Sequence, residues 1–260
     1  MNIKKTISLL VAACMLMGIT VFAEESQTPA DSKISIEVID NLLREVNTPE
    51  SQIQLMDDEL KMSVYENSLS KGVVQYVDVS QEECAEPLRA SGYAIPTSQL
   101  KLSVTAFKVQ GKQKVDIYPS YEWLVPVKPK GKDYFGYSTH GSFSAVAGER
   151  SNVIYAKLEK NDPWASSGSA TYTGTSLTGY QHSGSSLGTP DFSIYLKGHF
   201  YYQVDIDSTS PVKKIVLAYV HDTSLGSGLS YGIGYGPLSI SITPNSSNVG
   251  YQNNIYNLNY

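Results

Sequence analysis

Two cysteines in 260 residues, Cys14 and Cys84, are too few for a disulfide framework. Cys84 sits among Glu82, Glu83 and Glu86, whose carboxylates disfavour a thiolate and make it a poor nucleophile. No apolar run after residue 22 approaches the ~20 residues of a membrane-spanning helix, so no transmembrane span is expected. A long basic stripe is also missing, which sets DNA and RNA aside as partners. The four histidines, at 140, 182, 199 and 221, include no pair at H-x-x-x-H spacing, so no local zinc motif exists. No nucleotide or cofactor motif is found, and none of the catalytic motifs considered below finds its context.

What is present begins with a leader. Lys4 and Lys5 precede an apolar run over 7–22, and Val21-Phe22-Ala23 offers small residues at the two positions a signal peptidase reads. Glu24 and Glu25 follow, so cleavage is expected between Ala23 and Glu24, leaving a secreted chain of 237 residues. That length buries a sizeable core without covalent staples. The alternative is a lipid anchor at Cys14, since Val11-Ala12-Ala13-Cys14 has the residue types of a lipoprotein box; the apolar run continuing to Phe22 argues against it.

Charge divides the remainder. Residues 24–99 carry 15 acidic against 5 basic side chains, a balance of −10, and residues 100–260 carry 10 against 13, a balance of +3. Residues 24–34 are polar and read as disordered. Over 35–69 the pattern is helical: Ile36, Ile39, Leu43 and Val46 step by three, four and three, with Ser35 as cap. Thr48-Pro49-Glu50 predicts a second start, capped by Thr48 with Pro49 in the first turn. Asp57-Asp58-Glu59 predicts a third, with Leu60 and Val64 on one face. Residues 70–94 are transitional, with a strand candidate over 73–79.

From residue 95 the period becomes two. Leu100, Leu102, Val104 and Ala106 alternate with Lys101, Ser103, Thr105 and Phe107, and Gly111-Lys112 predicts a turn into a partner strand over 114–123. Further strands are expected over 134–138, 142–147, 152–158, 169–175, 191–206, 213–221 and 229–242. The expected fold class is mainly β, an antiparallel β-sandwich-like domain over 95–260 preceded by a short acidic α-helical segment. Of 19 tyrosines, 16 lie between 118 and 260, where a half-buried pleated surface suits them.

Four motifs fail in context. Gly228-Leu229-Ser230-Tyr231-Gly232 and Gly184-Ser185-Ser186-Leu187-Gly188 match G-x-S-x-G, but glycines or a proline follow where a nucleophile elbow needs a helix. Asp205, Asp207 and Thr209 match a D-x-D-x-T phosphatase run, but Pro211 and a strand-like stretch follow instead of a helix. As a calcium loop the same residues lack the glycine and glutamate expected where Ser210 and Val216 stand. Glu122 and Asp116 are the carboxylates of a glycosidase reading, with Trp123 as platform; packing into a core is the simpler fate for Trp123. Residues 166–188 are nearly uncharged and invite a membrane-inserting hairpin, with Ala170, Tyr172 and Gly174 as a weakly apolar lipid face.

The leader, Thr48-Pro49-Glu50, Ile95-Pro96-Thr97-Ser98-Gln99-Leu100, Ser120-Tyr121-Glu122-Trp123-Leu124 and Gly236-Pro237-Leu238-Ser239-Ile240-Ser241-Ile242 together resemble a loose group of exported proteins of Gram-positive bacteria whose function is unassigned. The resemblance implies bacterial secretion and carries over no catalytic or binding residue. The expectation is a non-enzymatic extracellular binding module for a glycan, a cell-wall polymer or a protein. A membrane-active β protein and a secreted hydrolase are the alternatives. No catalytic or metal residue is assigned.

Overall fold

The computed structural model describes residues 34–82, 93–128, 132–139, 143–176, 179–185, 193–206, 213–222, 230–234, 239–243 and 249–259. The expected cleavage site at Ala23 and Glu24, the segment 24–33, Cys14, Cys84, His140, Gly228 and Asp207 to Thr209 lie outside them. The chain divides into two units, Met1–Ile34 and Ser35–Tyr260, and the second holds every element below.

Three helices open that unit: α1 (Ile36–Glu45), α2 (Glu50–Leu55) and α3 (Asp58–Val64), the last running into a π-helical turn, Tyr65–Leu69. Ser35 caps α1 through its Oγ, which accepts from the Val38 amide, and Ile39 and Leu43 are buried as their spacing requires. Asp57 caps α3 in the same way, accepting from the Leu60 amide at 2.8 Å. The expected Thr48 cap is corrected: Pro49 occupies the cap position of α2, and Thr48 is buried with its hydroxyl making no hydrogen bond. Lys61 of α3 pairs with Asp40 of α1 at 2.7 Å.

The strands are β1 (Val74–Glu82), β2 (Tyr93–Ala94), β3 (Leu100–Val109), β4 (Lys114–Trp123), β5 (Lys132–Thr139), β6 (Phe143–Lys157), β7 (Ala165–Gly168), β8 (Thr171–Ser176), β9 (Gly179–Ser185), β10 (Tyr195–Ile206), β11 (Lys214–Asp222), β12 (Ser230–Gly234), β13 (Ser239–Thr243) and β14 (Val249–Asn259). They pair along one path, β7-β6-β10-β4-β3-β1-β14-β11-β5-β9-β8, with β2 beside β14 and β12-β13 as a separate hairpin. All these pairs are antiparallel except β2 with β14.

The path folds over at β1. Its first half, Val74 to Val77, pairs with β3, and its second half, Asp78 to Glu82, pairs with β14. The two halves of the sheet thereby face each other as a sandwich. Between them Tyr121 of β4 meets Tyr219 of β11 at 4.7 Å between ring centroids, and Tyr137 of β5 stacks on Tyr202 of β10 at 4.4 Å. Trp123 belongs to this core, as do Leu100, Leu102, Val104 and Ala106. The β3–β4 hairpin turns at Gly111, whose φ of +72° suits a residue without Cβ.

Several strand expectations change; the one over 229–242 is met by two paired strands, β12 and β13. The separate strands over 142–147 and 152–158 are one strand, β6; Gly148, at φ +83°, lies in an irregularity opposite Gln203 rather than in a turn. The register there passes from Tyr202↔Arg150 to Val204↔Ala145, so the extra residues bulge out. The expected strand over 169–175 forms as β8 and starts only at Thr171, and Ala170, which the membrane-hairpin reading set on a lipid face, is buried in the core instead. Asn152 holds it there: its Oδ1 accepts from the Ala170 amide at 2.6 Å and its Nδ2 donates to the Ala170 carbonyl at 3.2 Å.

The outer face of the half-sheet containing β3, β4 and β10 is not left to water. Phe107, Thr105, Asp116, Tyr118, Lys197, His199 and Tyr201 are all buried on it. Tyr76, Phe107, Tyr118 and Tyr201 make successive ring contacts across it. The helical segment forms the cover: Ser68 reaches Asp116 and Tyr118, and Asp57 and Glu59 reach Lys197. A backbone bond from the Tyr76 amide to the Val46 carbonyl, 3.0 Å, joins β1 to the end of α1.

Candidate functional site

A cleft of about 240 Å³ lies where this cover meets the sheet. Its lining comes from the π-helical turn (Asn67, Ser68), the link that follows (Lys71, Gly72), the β3–β4 turn and its flanks (Val109, Lys112, Lys114), and the bulged stretch of β6 (Glu149). Asp116, Tyr201 and Gln203 form its floor.

Each wall is fixed by backbone chemistry. In the π-helical turn the Ser70 amide donates to the Tyr65 carbonyl, five residues back, at 2.9 Å. The Asn67 amide group donates to the Ser63 carbonyl at 2.9 Å, which pins the turn to α3. This wider turn directs Ser68 onto the sheet. Its Oγ donates to Asp116 at 2.8 Å and, having spent its proton there, accepts from the Tyr118 hydroxyl at 2.5 Å. The bulge in β6 does the equivalent for Glu149, which comes within 3.5 Å of the Tyr201 hydroxyl.

Asp116 organises the floor. It is 2% exposed, and Gln203 donates to its Oδ1 at 2.8 Å while Ser68 serves its Oδ2. The Tyr201 hydroxyl lies 3.4 Å from Oδ1. Burial pushes the Asp116 carboxyl above its ordinary value, and the donors from Gln203, Ser68 and Tyr201 partly offset this. Burial and the two carboxylates raise the Tyr201 phenol. With donors on both oxygens, Asp116 is built to hold a wall together rather than to take a proton from a substrate.

Two further polar clusters stabilise the layers. Lys197, 1% exposed, donates to Asp57 and Glu59, each at 2.8 Å, and its ammonium lies 4.6 Å from the Trp164 ring and 5.2 Å from that of Tyr155. His199 Nε2 is 3.3 Å from Asp57. Inside the sandwich, Asp133 accepts from the Tyr219 hydroxyl at 2.6 Å and lies 2.7 Å from His221 Nδ1. Burial alone would push the Asp57 carboxyl up. The hydrogen bond and charge of His199, together with Lys197, outweigh it and hold that carboxyl well below the usual range.

The Asp57 shift has a signed consequence for stability. A carboxyl depressed in the folded state stabilises it fully above its ordinary pKa, about 4, and loses that contribution as pH falls through the folded value. The melting temperature of the protein, measured against that of an Asp57→Asn variant, is therefore expected to keep a constant lead at neutral pH and to lose it below about pH 4. A lead unchanged down to pH 2 would contradict this origin.

The glycosidase reading weighed from the sequence paired Glu122, beside Trp123, with Asp116. Both lie on the outer face of β4, six residues or roughly 20 Å apart, and Trp123 points the opposite way into the core, so no paired-carboxylate site forms there. The carboxylate that does approach Asp116, by way of Tyr201, is Glu149. The signal for it is the Gly148-Glu149 interruption in an otherwise continuous strand. His199 and His221 each meet one carboxylate, and among the described residues no three His, Cys, Asp or Glu gather as metal ligands. Many of the described tyrosines are structural: Tyr118, Tyr121, Tyr137, Tyr202 and Tyr219 are fully or almost fully buried.

No protein-family model matches this chain, and no curated protein matches it. Among solved structures it is similar to the collagen-binding subdomain of the Enterococcus faecalis surface protein ACE, at 7% identity and a TM-score of 0.32, over 56% of this chain and 88% of that one. It is also similar to the RrgB pilus backbone of Streptococcus pneumoniae, at 9% identity and a TM-score of 0.30, over 72% of this chain and 51% of that one. A third similar structure is described as a pore forming protein, at 7% identity and a TM-score of 0.33, over 71% and 94%. The chain thus spans about half of the pilus backbone.

Proposed function

We propose that this chain is an exported, non-enzymatic recognition module, released by cleavage between Ala23 and Glu24, whose cleft beneath the helical cover binds one unit of an extracellular glycan or cell-wall polymer. The observation that carries this reading is the lining of the cleft. Asn67, Gln203 and Glu149 place amide and carboxylate groups along it, able to meet the hydroxyls of a ligand, beside an Asp116 that Gln203 holds. Ligand pockets for drug-sized molecules run from about 300 to 1,000 Å³ and are mostly apolar. A cleft of about 240 Å³ with this polar lining suits a single sugar or polyol unit better than an aromatic cofactor.

Co-sedimentation of the purified protein with insoluble peptidoglycan and a panel of polysaccharides tests the reading. Saturable binding to at least one polymer is expected, weakened about tenfold by Glu149→Ala, the worth of one hydrogen bond to a charged group. Binding that is unchanged in the Glu149→Ala protein would place the ligand elsewhere on the molecule. Failure to bind any polymer would remove the reading altogether.

A further inference from the structure

Three ammonium groups line the cleft, Lys71, Lys112 and Lys114, against the two carboxylates Asp116 and Glu149. The backbone that carries them is fixed by turns. The Lys71 amide bonds the Ser68 carbonyl at 3.1 Å directly after the π-helical turn. The Lys112 amide bonds the Val109 carbonyl at 3.3 Å in the β3–β4 turn, and Lys114 is the first residue of β4.

Their charges are only partly met within the protein, where that of Lys71 acts on the Asp116 carboxyl. Lys114 reaches Asp205 only at 3.9 Å, and among the described residues no carboxylate lies within ion-pair distance of Lys71 or Lys112. The Lys71 ammonium rests instead 5.8 Å from the centre of the Tyr201 ring, over the cleft floor. Of the two carboxylates, Asp116 is committed to Ser68 and Gln203 and is withdrawn from solvent. Among the lining residues this leaves Glu149 as the carboxylate that faces a ligand, alongside three lysines.

We infer that the cleft selects a polyol bearing a single oxyanion, a carboxylate or a phosphate, which Lys71 and Lys112 hold while the hydroxyls meet Gln203, Asn67 and Glu149. This rests on the recognition reading above and adds the charge of the ligand to it.

The test compares pairs of small molecules that differ in charge: galacturonate with galactose, and glycerol phosphate with glycerol, each titrated into the purified protein by calorimetry. The charged member of at least one pair is expected to bind about tenfold tighter or more. That advantage should shrink as salt is raised and vanish in a Lys71→Gln/Lys112→Gln variant, whose two changes are at exposed positions. Preference for galacturonate alone identifies a carboxylate, and for glycerol phosphate alone a phosphate. Galactose and glycerol both binding as tightly as their charged counterparts would overturn the charge inference and leave recognition of a neutral glycan standing. An advantage that survives in the lysine variant would overturn it too. No binding of any of the four, with no polymer bound either, would overturn both.

Discussion

Asp57→Ala is expected to destabilise the protein by about 3 kcal/mol and to loosen the helical segment from the sheet. One side chain performs three tasks here. It caps α3 at the Leu60 amide, pairs with the buried Lys197 ammonium at 2.8 Å, and receives His199 at 3.3 Å. Its loss leaves an ammonium that is 1% exposed with Glu59 as its remaining carboxylate. Breaking one partner of a buried pair costs about 3–5 kcal/mol, and a lost cap about 1 more. The partial exposure of Asp57 lets water screen the pair, which favours the lower end. Glu59→Ala should cost clearly less, since it spares both the cap and the contact of Asp57 with His199. Urea denaturation gives the size of the effect, and limited proteolysis shows whether new cuts fall within 36–69. A loss below about 1 kcal/mol with an unchanged cleavage pattern would mean that the cover is held by its apolar contacts alone.

Gly198→Ala should be nearly as damaging, for a reason of volume. Gly198 sits in β10 facing the core, and a Cβ there would overlap the Tyr121 ring and come within 2.9 Å of Phe200 Cε2. Its backbone is ordinary for a strand, so the penalty is crowding rather than strain. Tyr121 has nowhere to retreat, being packed on Phe135, Phe200 and Tyr219 at once. Overpacking of this kind costs about 1–3 kcal/mol, and the rigidity of the ring cluster points to the upper end. Thermal denaturation checks the value. A second change, Tyr121→Leu, should recover part of the loss in the double variant while being destabilising alone. Simple addition of the two penalties would rule out direct contact as the cause.

Much of the fold is legible in the chain. The steps between Ile36, Ile39, Leu43 and Val46 place α1 and its buried stripe, Ser35 marks its start, and the alternation over 100–106 with Gly111 gives the first hairpin. What the alternation cannot reveal is the medium on the far side of a strand. Lys197, His199 and Asp116 occupy the polar positions of β10 and β4, where water is the natural assumption, yet each is buried under helices that bring matching charges and hydroxyls. A polar residue facing a carboxylate and one facing solvent look identical in a period of two. Nor does an interruption such as Gly148 declare whether the chain turns back or bulges outward.

The cleft was harder still. Asp116 entered the sequence reading only as the companion of Glu122, and Ser68, Tyr201 and Gln203 are 48, 85 and 87 positions from it and meet it only through the strand order. Ser68 reaches it because five residues adopt a π-helical turn after α3, for which Tyr65 to Leu69 carry no distinctive spacing.

The crossing of β1 from one half-sheet to the other has a consequence for how the molecule is made. The partner of its second half is β14, with Asp78 opposite Asn259, 181 positions further along the chain. During vectorial synthesis or export the N-terminal portion emerges first, and β1 can dock on β3 early, but its other half waits for β14. Until then that edge presents unpaired amides and carbonyls, the template on which chains join wrongly. The step that seals the sandwich is therefore a long-range loop closure, the kind that makes β topologies slow to fold.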